Sequence, residues 1–206
     1  MSLVRDEIAE QPAVLARLLA DDAVAAAGRE IRRHAPKYVV IAARGSSDNA
    51  ARYAQHLFGH LPCRLPVALA SPSLHTLYAT PPRYHGALVV GISQSGASPD
   101  VVGVLEEARR QGRPTVAITN VPGSPLAAAA GHVIDLHAGE EASVAATKTY
   151  MASLGAIAAL ADALAGGARR ADLGRLEPGA RADVVVLDDR IEVQRVLVGG
   201  GERVAR

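Results

Sequence analysis

The chain has 206 residues, of which 49% are apolar and only 3% are aromatic. This length fits one domain, or one domain with a small appendage, and the core must consist of Ala, Val, Leu and Ile. The formal net charge of +1 argues against a nucleic-acid or membrane-surface partner. The single cysteine excludes an internal disulfide and fits a reducing cytoplasm. No apolar stretch resembles a signal peptide or approaches the ~20 residues of a membrane span.

Two helices are predicted before the first strand. Residues 2–20 carry apolar side chains near one face, with a break or kink at Pro12. A second helix over residues 23–33 begins after Asp21 or Asp22, either of which can cap it. Residues 1–36 are therefore expected to form a helical N-terminal segment.

Strands and helices then alternate, which predicts an α/β three-layer sandwich on a five-stranded parallel sheet. Each predicted strand is an uncharged apolar run, as expected of strands buried on both faces. The crossover connections should be right-handed. The predicted strands cover residues 38–43, 65–69, 87–92, 114–119 and 132–136, and the main helices cover 49–61, 99–111 and 144–164.

The pattern changes after residue 166, so we predict a domain over residues 37–166 and a separate tail over 167–206. A turn-rich connector is followed by strand-like residues 182–187 and 191–198, with a plausible hairpin turn at 188–190. The tail is thus predicted to be a β-hairpin appendage. A lone hairpin is marginally stable.

The loop over residues 93–98 is the first candidate site. It joins the end of a buried strand to the start of a helix, where doubly wound sheets bind ligands. Ser98 followed by Pro99 is typical of a helix N-cap. Free backbone N–H groups, the helix dipole and the hydroxyls of Ser93, Ser95 and Ser98 all favour a phosphate there. The alternative is an ordinary strand-to-helix turn rich in small polar residues.

Two further segments belong to this hypothesis. Ser46 and Ser47 follow the first strand at the same sheet edge and could contact ligand hydroxyls. The segment 139–149 opens the long last helix. In it, Glu140, Glu141 and Ser143 are explained as first-turn acids and a cap. Alternatively, Val144 and Ala145 line a sugar pocket through their backbone atoms.

The sequence gives little indication of metal binding or of nucleophilic catalysis. The seven histidines show no metal-ligand spacing and no paired cysteines occur, so we expect no metal or other cofactor. Ser95 lacks a nucleophile elbow and a base placed beside it.

Four motifs in order resemble the sugar isomerase (SIS) domain family: Gly45-Ser46-Ser47, residues 93–100, 120–124 and 144–149. More narrowly, they resemble the first of two SIS domains in glutamine:fructose-6-phosphate amidotransferase and in glucosamine-6-phosphate deaminase/isomerase relatives. The resemblance implies a flavodoxin-like sheet. Ser93, Gln94, Ser95 and Ser98 would hold a sugar phosphate, and Gly45, Ser46, Ser47, Val144 and Ala145 would contact the sugar. The family often has Ser at position 146 and Glu-Thr at 97–98, where this chain has Ala146 and Ala97-Ser98.

The resemblance implies a domain that binds a hexose 6-phosphate or amino-hexose 6-phosphate, usually in a homodimer. In the relatives, the proton-transferring glutamate, the ring-opening histidine and a lysine lie in a second SIS domain, and those motifs do not occur here after residue 166. An isomerase, deaminase or aminotransferase would therefore need another base, for which Glu141 is a weak candidate together with a partner's histidine. The alternative is a non-catalytic sugar-phosphate-binding module.

Two minor resemblances remain. A sugar-phosphate-sensing transcription regulator would need a helix-turn-helix region, for which the residues before the first strand are too few. The stretch 174–188 of the tail resembles the end of amidohydrolase-superfamily enzymes, notably N-acetylglucosamine-6-phosphate deacetylase.

Overall fold

The computed structural model describes residues 3–60 and 63–166 and, in the tail, three strands over 184–187, 193–198 and 201–203. The chain divides into two units, Met1–Gly167 and Ala168–Arg206. The first unit carries every candidate site residue.

The first unit is built on a five-stranded sheet of order β2-β1-β3-β4-β5. Every pair of neighbouring strands is parallel, as predicted. β1, β3 and β4 are almost fully buried because both faces of the sheet are covered. The strands are β1 (Tyr38–Ala43), β2 (Val67–Leu69), β3 (Ala87–Ile92), β4 (Thr115–Thr119) and β5 (His132–Asp135).

Helices form the two outer layers of the sandwich. On one face, α1 (Leu3–Ala20), α2 (Ala23–Arg33), α3 (Ser46–His60) and α7 (Lys148–Leu164) share a core with alternate strand residues such as Val39 and Ile41. On the other face, α5 (Pro99–Arg110) and α6 (Pro125–Ala129) pack with Val40 and Ala42, and the short α4 (Ser73–Thr76) contacts α5. The alternation follows from the period of two along a strand. The predicted three-layer α/β sandwich is confirmed.

Two predicted helix starts are wrong. α3 begins at Ser46 rather than residue 49, because Gly45 takes a left-handed φ of +60° and turns the chain directly from β1 into the helix. α7 begins at Lys148 rather than residue 144, because Glu7 holds the backbone of residues 142–143 and Glu141 caps the helix at Thr147. Smaller differences affect the ends of β2, which begins at Val67 instead of residue 65, and of α4.

The described part of the second unit is an antiparallel sheet of order β6-β7-β8. Its strands are β6 (Val184–Leu187), β7 (Val193–Val198) and β8 (Gly201–Arg203). The first two match the predicted hairpin strands, whereas β8 was predicted as a turn. The connector 167–183 and the turn 188–190 lie outside the described residues.

Within the described residues, no helix has both the length and the apolar character required to span a bilayer.

Candidate functional site

The two serine loops meet where the strand order reverses. β1 and β3 are neighbours, and their paired register runs to Ala43 opposite Ile92. The next residues, Arg44 and Ser93, therefore leave the sheet side by side at its carboxyl edge. α3 packs on one face and α5 on the other, so the two loops flank a crevice at the topological switch point.

The loop 93–98 is tied to the neighbouring strand end by its backbone. The Gln94 carbonyl accepts hydrogen bonds from Thr119 Oγ1 at 3.3 Å and from the Asn120 N–H at 3.1 Å. The Gly96 carbonyl accepts from the Leu126 N–H at 3.0 Å. These bonds fix the backbone and leave the side chains of Gln94 and Ser95 exposed at the crevice.

Gly96 determines the backbone conformation of this loop. Its φ is +62°, a region that disfavours residues with a side chain. A Cβ there would overlap the Ser124 side chain and lie 2.9 Å from Thr119 Oγ1. The Gly96 N–H donates to Ser93 Oγ at 3.2 Å, which closes the turn.

Ser98 is the N-cap of α5, as predicted, but its hydroxyl makes no capping hydrogen bond. Ser124 is the matching Ser-Pro cap of α6, and there Oγ accepts from the Ala127 N–H at 3.3 Å. Both caps have extended backbones and Pro at the next position. The difference leaves the Ser98 hydroxyl available at the positive end of α5.

Ser46 and Ser47 lie in the first turn of α3, not in the loop where we predicted them. Ser46 is exposed and Ser47 half-buried. The N-termini of α3 and α5 thus border the same crevice, and each carries a partial positive charge. In α5, Pro99 has no N–H and the Val101 N–H donates to the Ser98 carbonyl at 3.1 Å, so Asp100 supplies the N–H that has no partner within the first turn. Such an arrangement favours a bound anion.

Arg44 is a polar residue of this site that the sequence did not single out, and Asp100 ends the motif 93–100 but was given no role. Arg44 Nη1 donates to Asp100 Oδ2 at 2.6 Å, joining the end of β1 to the first turn of α5. The Arg44 side chain is 63% exposed and that of Asp100 is 28% exposed. The register of β1 and β3 is the signal that could have placed Arg44 beside Ser93.

The segment 142–147 is anchored to α1 by Glu7. This buried carboxylate accepts from the N–H groups of Ala142 at 2.6 Å and Ser143 at 3.1 Å, and from the Ser143 hydroxyl. The hydrogen bond from the Ser143 side chain is the main cause that lowers the pKa of Glu7 below its usual 4.5. No sequence signal indicated this contact, because Glu7 and Ser143 are far apart in the chain.

Glu141 supplies the cap that α7 otherwise lacks. Its Oε1 accepts from the Thr147 N–H at 2.9 Å and the Thr149 N–H at 3.2 Å, and the Thr149 hydroxyl donates to Oε2. Thr147, the N-cap residue, makes no side-chain capping bond. Glu141 thus stabilises the first turn of α7 through the positive end of the helix.

Val144 and Ala145 are both exposed. Among the described residues, no hydrogen bond joins segment 142–147 to the loop 93–98. The remaining motif, 120–124, connects the two regions: Asn120 Oδ1 accepts from the Ala138 N–H at 2.9 Å, and Nδ2 donates to the Gly139 carbonyl at 2.6 Å. The structure therefore brings the two serine loops together, with the third segment attached through Asn120.

In the part of the chain that the structure describes, no group of three His, Cys, Asp or Glu residues could hold a metal ion. His137, which follows β5, forms a hydrogen bond with Asp21, and its Nε2 lies 2.8 Å from Asp21 Oδ2. That hydrogen bond is the main cause that lowers the pKa of Asp21. The pair fixes the chain after β5 to the start of α2.

Comparison with known proteins agrees with this geometry. Residues 34–163 match the model of the SIS domain. The glutamine--fructose-6-phosphate aminotransferase [isomerizing] of Streptococcus pneumoniae is 36% identical over 169 residues, which cover 77% of this chain and 27% of that enzyme. The chain therefore spans about a quarter of the length of the curated relatives it matches.

Two solved structures are also similar. A protein assigned as a phosphosugar isomerase, from Silicibacter pomeroyi, superposes with a TM-score of 0.77 at 40% identity, covering 82% of this chain and 52% of the other. The C-terminal domain of glucosamine-fructose-6-phosphate aminotransferase from Francisella tularensis gives 0.67 at 25% identity, covering 80% and 48%. Together with the matched family model, these similarities show that the chain belongs to the SIS domain family.

Proposed function

We propose that this chain binds a hexose 6-phosphate or amino-hexose 6-phosphate in the crevice between β1 and β3. The phosphate lies against Ser93, Gln94, Ser95 and Ser98. The sugar lies against Gly45, Ser46, Ser47 and the backbone of Val144 and Ala145. Relatives named for fructose-6-phosphate and phosphosugar chemistry support this ligand class.

The free hydroxyl of Ser98 is the observation that carries the proposal. A serine at an N-cap normally satisfies a backbone N–H of its own helix. Ser124 does so, whereas Ser98 does not. An anion seated at the N-terminus of α5 would accept hydrogen bonds from this hydroxyl and from the Asp100 N–H.

Isothermal titration with fructose 6-phosphate or glucosamine 6-phosphate tests the proposal. We expect saturable binding, weakened about tenfold or more by Ser95→Ala, because a hydrogen bond to a charged group is worth roughly 1.5–3 kcal/mol. Ser71→Ala is the matched control, since Ser71 is an exposed serine after β2, outside the switch point. No binding by the wild-type chain, or equal affinities for the Ser95→Ala variant and the wild type, would contradict the proposal.

Turnover is a separate question, because proton transfer between C1 and C2 needs a base within hydrogen-bond reach. Glu141, the weak candidate for this base, accepts hydrogen bonds from the Thr147 and Thr149 N–H groups at the start of α7. An assay for ketose formation or ammonia release by the purified chain distinguishes a binding module from an isomerase or deaminase. A rate abolished by Glu141→Gln would favour the enzyme.

We propose a homodimer as the assembly and the cytoplasm as the compartment. The exposed apolar side chains of Leu3, Ile8 and Leu19 on α1 support an association of helices. The free thiol of Cys63 suits a reducing compartment. Light scattering after gel filtration measures the assembly, and a monomeric mass at micromolar concentration would contradict the dimer.

A further inference from the structure

The side chains assigned to the phosphate are all neutral: three serines and Gln94. A phosphate monoester carries about −1.5 to −2 charges at neutral pH because its second pKa is near 6. Neutral donors and helix dipoles lower the cost of placing that charge in the crevice. A cationic side chain would balance the rest.

Arg44 is the cation that the fold places at this point. Ala43 pairs with Ile92, so Arg44 and Ser93 occupy neighbouring positions on strands about 4.8 Å apart. The guanidinium reaches across to α5, where Nη1 contacts Asp100 Oδ2 at 2.6 Å. Asp100 lies two residues after Ser98 on the first turn of that helix. The guanidinium therefore joins the start of one serine loop to the helix turn that follows the other.

Two other cations on the elements of the site are placed differently. Lys148, at the start of α7, is buried, and its Nζ lies 2.7 Å from Glu10 Oε2. Arg52 lies in the second turn of α3, beyond the first turn that carries Ser46 and Ser47, and pairs with Asp48 at 3.1 Å. Arg44 uses one of its five N–H donors on Asp100, and its side chain is 63% exposed, so the rest of the planar fork faces solvent at the crevice.

We propose that Arg44 is a direct ligand of the sugar phosphate and sets the preference of the site for the dianion. The proposal rests on the phosphosugar function proposed above. In the free chain, Asp100 pairs with the guanidinium. Exposed ion pairs contribute little to stability, so Arg44 can turn toward a bound phosphate at small cost. Arginine suits the task because its fork matches phosphate geometry with two parallel N–H···O bonds.

The test is titration of the full chain with fructose 6-phosphate between about pH 5.5 and pH 7.5, where the phosphate gains its second charge. The wild type should bind more tightly as the pH rises. Arg44→Ala should weaken binding at least tenfold at the upper pH and flatten this dependence. Arg44→Lys, which keeps the charge without the fork, should retain the dependence at intermediate affinity. Arg110→Ala is the matched control, because Arg110 is an exposed, ion-paired arginine at the other end of α5.

Each outcome has a distinct meaning. Wild-type affinity and pH dependence in the Arg44→Ala variant would overturn this inference and leave the proposed function standing. A wild-type chain that binds no sugar phosphate would overturn both. Weaker binding with an unchanged pH dependence would also contradict the inference, since an indirect structural effect would not alter the preference for the dianion. Circular dichroism melting of the Arg44→Ala variant checks that it is folded.

Discussion

Gly96 determines the shape of the phosphate loop at the scale of the single residue. It combines a left-handed backbone with close contact to Ser124 and Thr119. Gly96→Ala should therefore destabilise the chain by about 2–4 kcal/mol, the sum of backbone strain and overpacking. Urea unfolding measures the change.

Gly103→Ala is the control for that substitution. Gly103 lies inside α5, and a Cβ there meets nothing within 4 Å. Because alanine is the better helix former, the free energy of unfolding of this variant should be up to about 1 kcal/mol higher than that of the wild type. A Gly96→Ala variant as stable as the wild type would show that the loop tolerates a side chain and can adopt another conformation.

Single residues were predicted from sequence where the signal is local. Ser98 as an N-cap follows from the Ser-Pro pair, and the structure has it there. The sequence could not show that the Ser98 hydroxyl makes no capping hydrogen bond. Ser124 is also followed by a proline, yet its hydroxyl does make that bond. The Arg44–Asp100 pair forms because β1 and β3 are neighbours in the sheet. The sequence indicates that strand order only through the family resemblance.

At the scale of elements, the segment 142–147 depends on the charge of Glu7. The hydrogen bond from Ser143 lowers the pKa of this carboxyl. Because the pKa of Glu7 is lower in the folded chain, its carboxylate contributes fully to the free energy of unfolding above the ordinary pKa of 4.5. That contribution is lost as the pH falls through the lower pKa of the folded chain. The attachment of the segment to α1 should therefore weaken only in acid.

Glu7→Gln should reproduce that acid effect at neutral pH, because an amide replaces the carboxylate that accepts from Ala142 and Ser143. We expect faster amide hydrogen exchange at both residues, measured by NMR, with the sheet amides unchanged. Asp6→Asn, an exposed carboxyl one residue earlier on α1, is the control and should leave the exchange unchanged. Equal protection in the Glu7→Gln variant and the wild type would contradict the anchoring role.

The start of α7 shows why some elements resist prediction. Residues 144–147, Val-Ala-Ala-Thr, have a composition similar to that of the helix over residues 148–164, so the sequence extends the helix over them. The competing contacts come from Glu7, 135 residues away from Ala142, and from the capping by Glu141. A tertiary contact from Glu7 and a local cap from Glu141 together override helix propensity here, and no local pattern reveals the contact from Glu7.

At the scale of the whole molecule, the described residues of the first unit form an apolar cluster on each face of the sheet. One cluster draws its buried residues from Val14 to Leu164 and the other from Val40 to Ala130. We propose that residues 1–166 are an autonomous domain and that the tail is a passenger. A chain truncated after Gly166 should keep its melting temperature and its sugar-phosphate affinity, measured by calorimetry. A lower melting temperature, or loss of affinity, would assign the tail a role.

The sequence predicted the overall architecture better than it predicted single elements or residues. Uncharged strand runs alternating with helices predict a parallel sheet covered on both faces, and the structure has one. The third strand of the tail, β8, was missed because three glycines at 199–201 are more typical of a turn than of a strand. The tail's resemblance to an amidohydrolase end remains a prediction.

We propose that a sugar phosphate binds between the serine loops at the β1–β3 switch point. A crystal structure of the chain soaked with glucosamine 6-phosphate tests it most directly. We predict density for the phosphate at residues 93–98, with Ser98 Oγ within hydrogen-bond distance and the sugar toward Ser46 and Ser47. A phosphate bound at another edge of the sheet, or an empty crevice at saturating ligand, would contradict it.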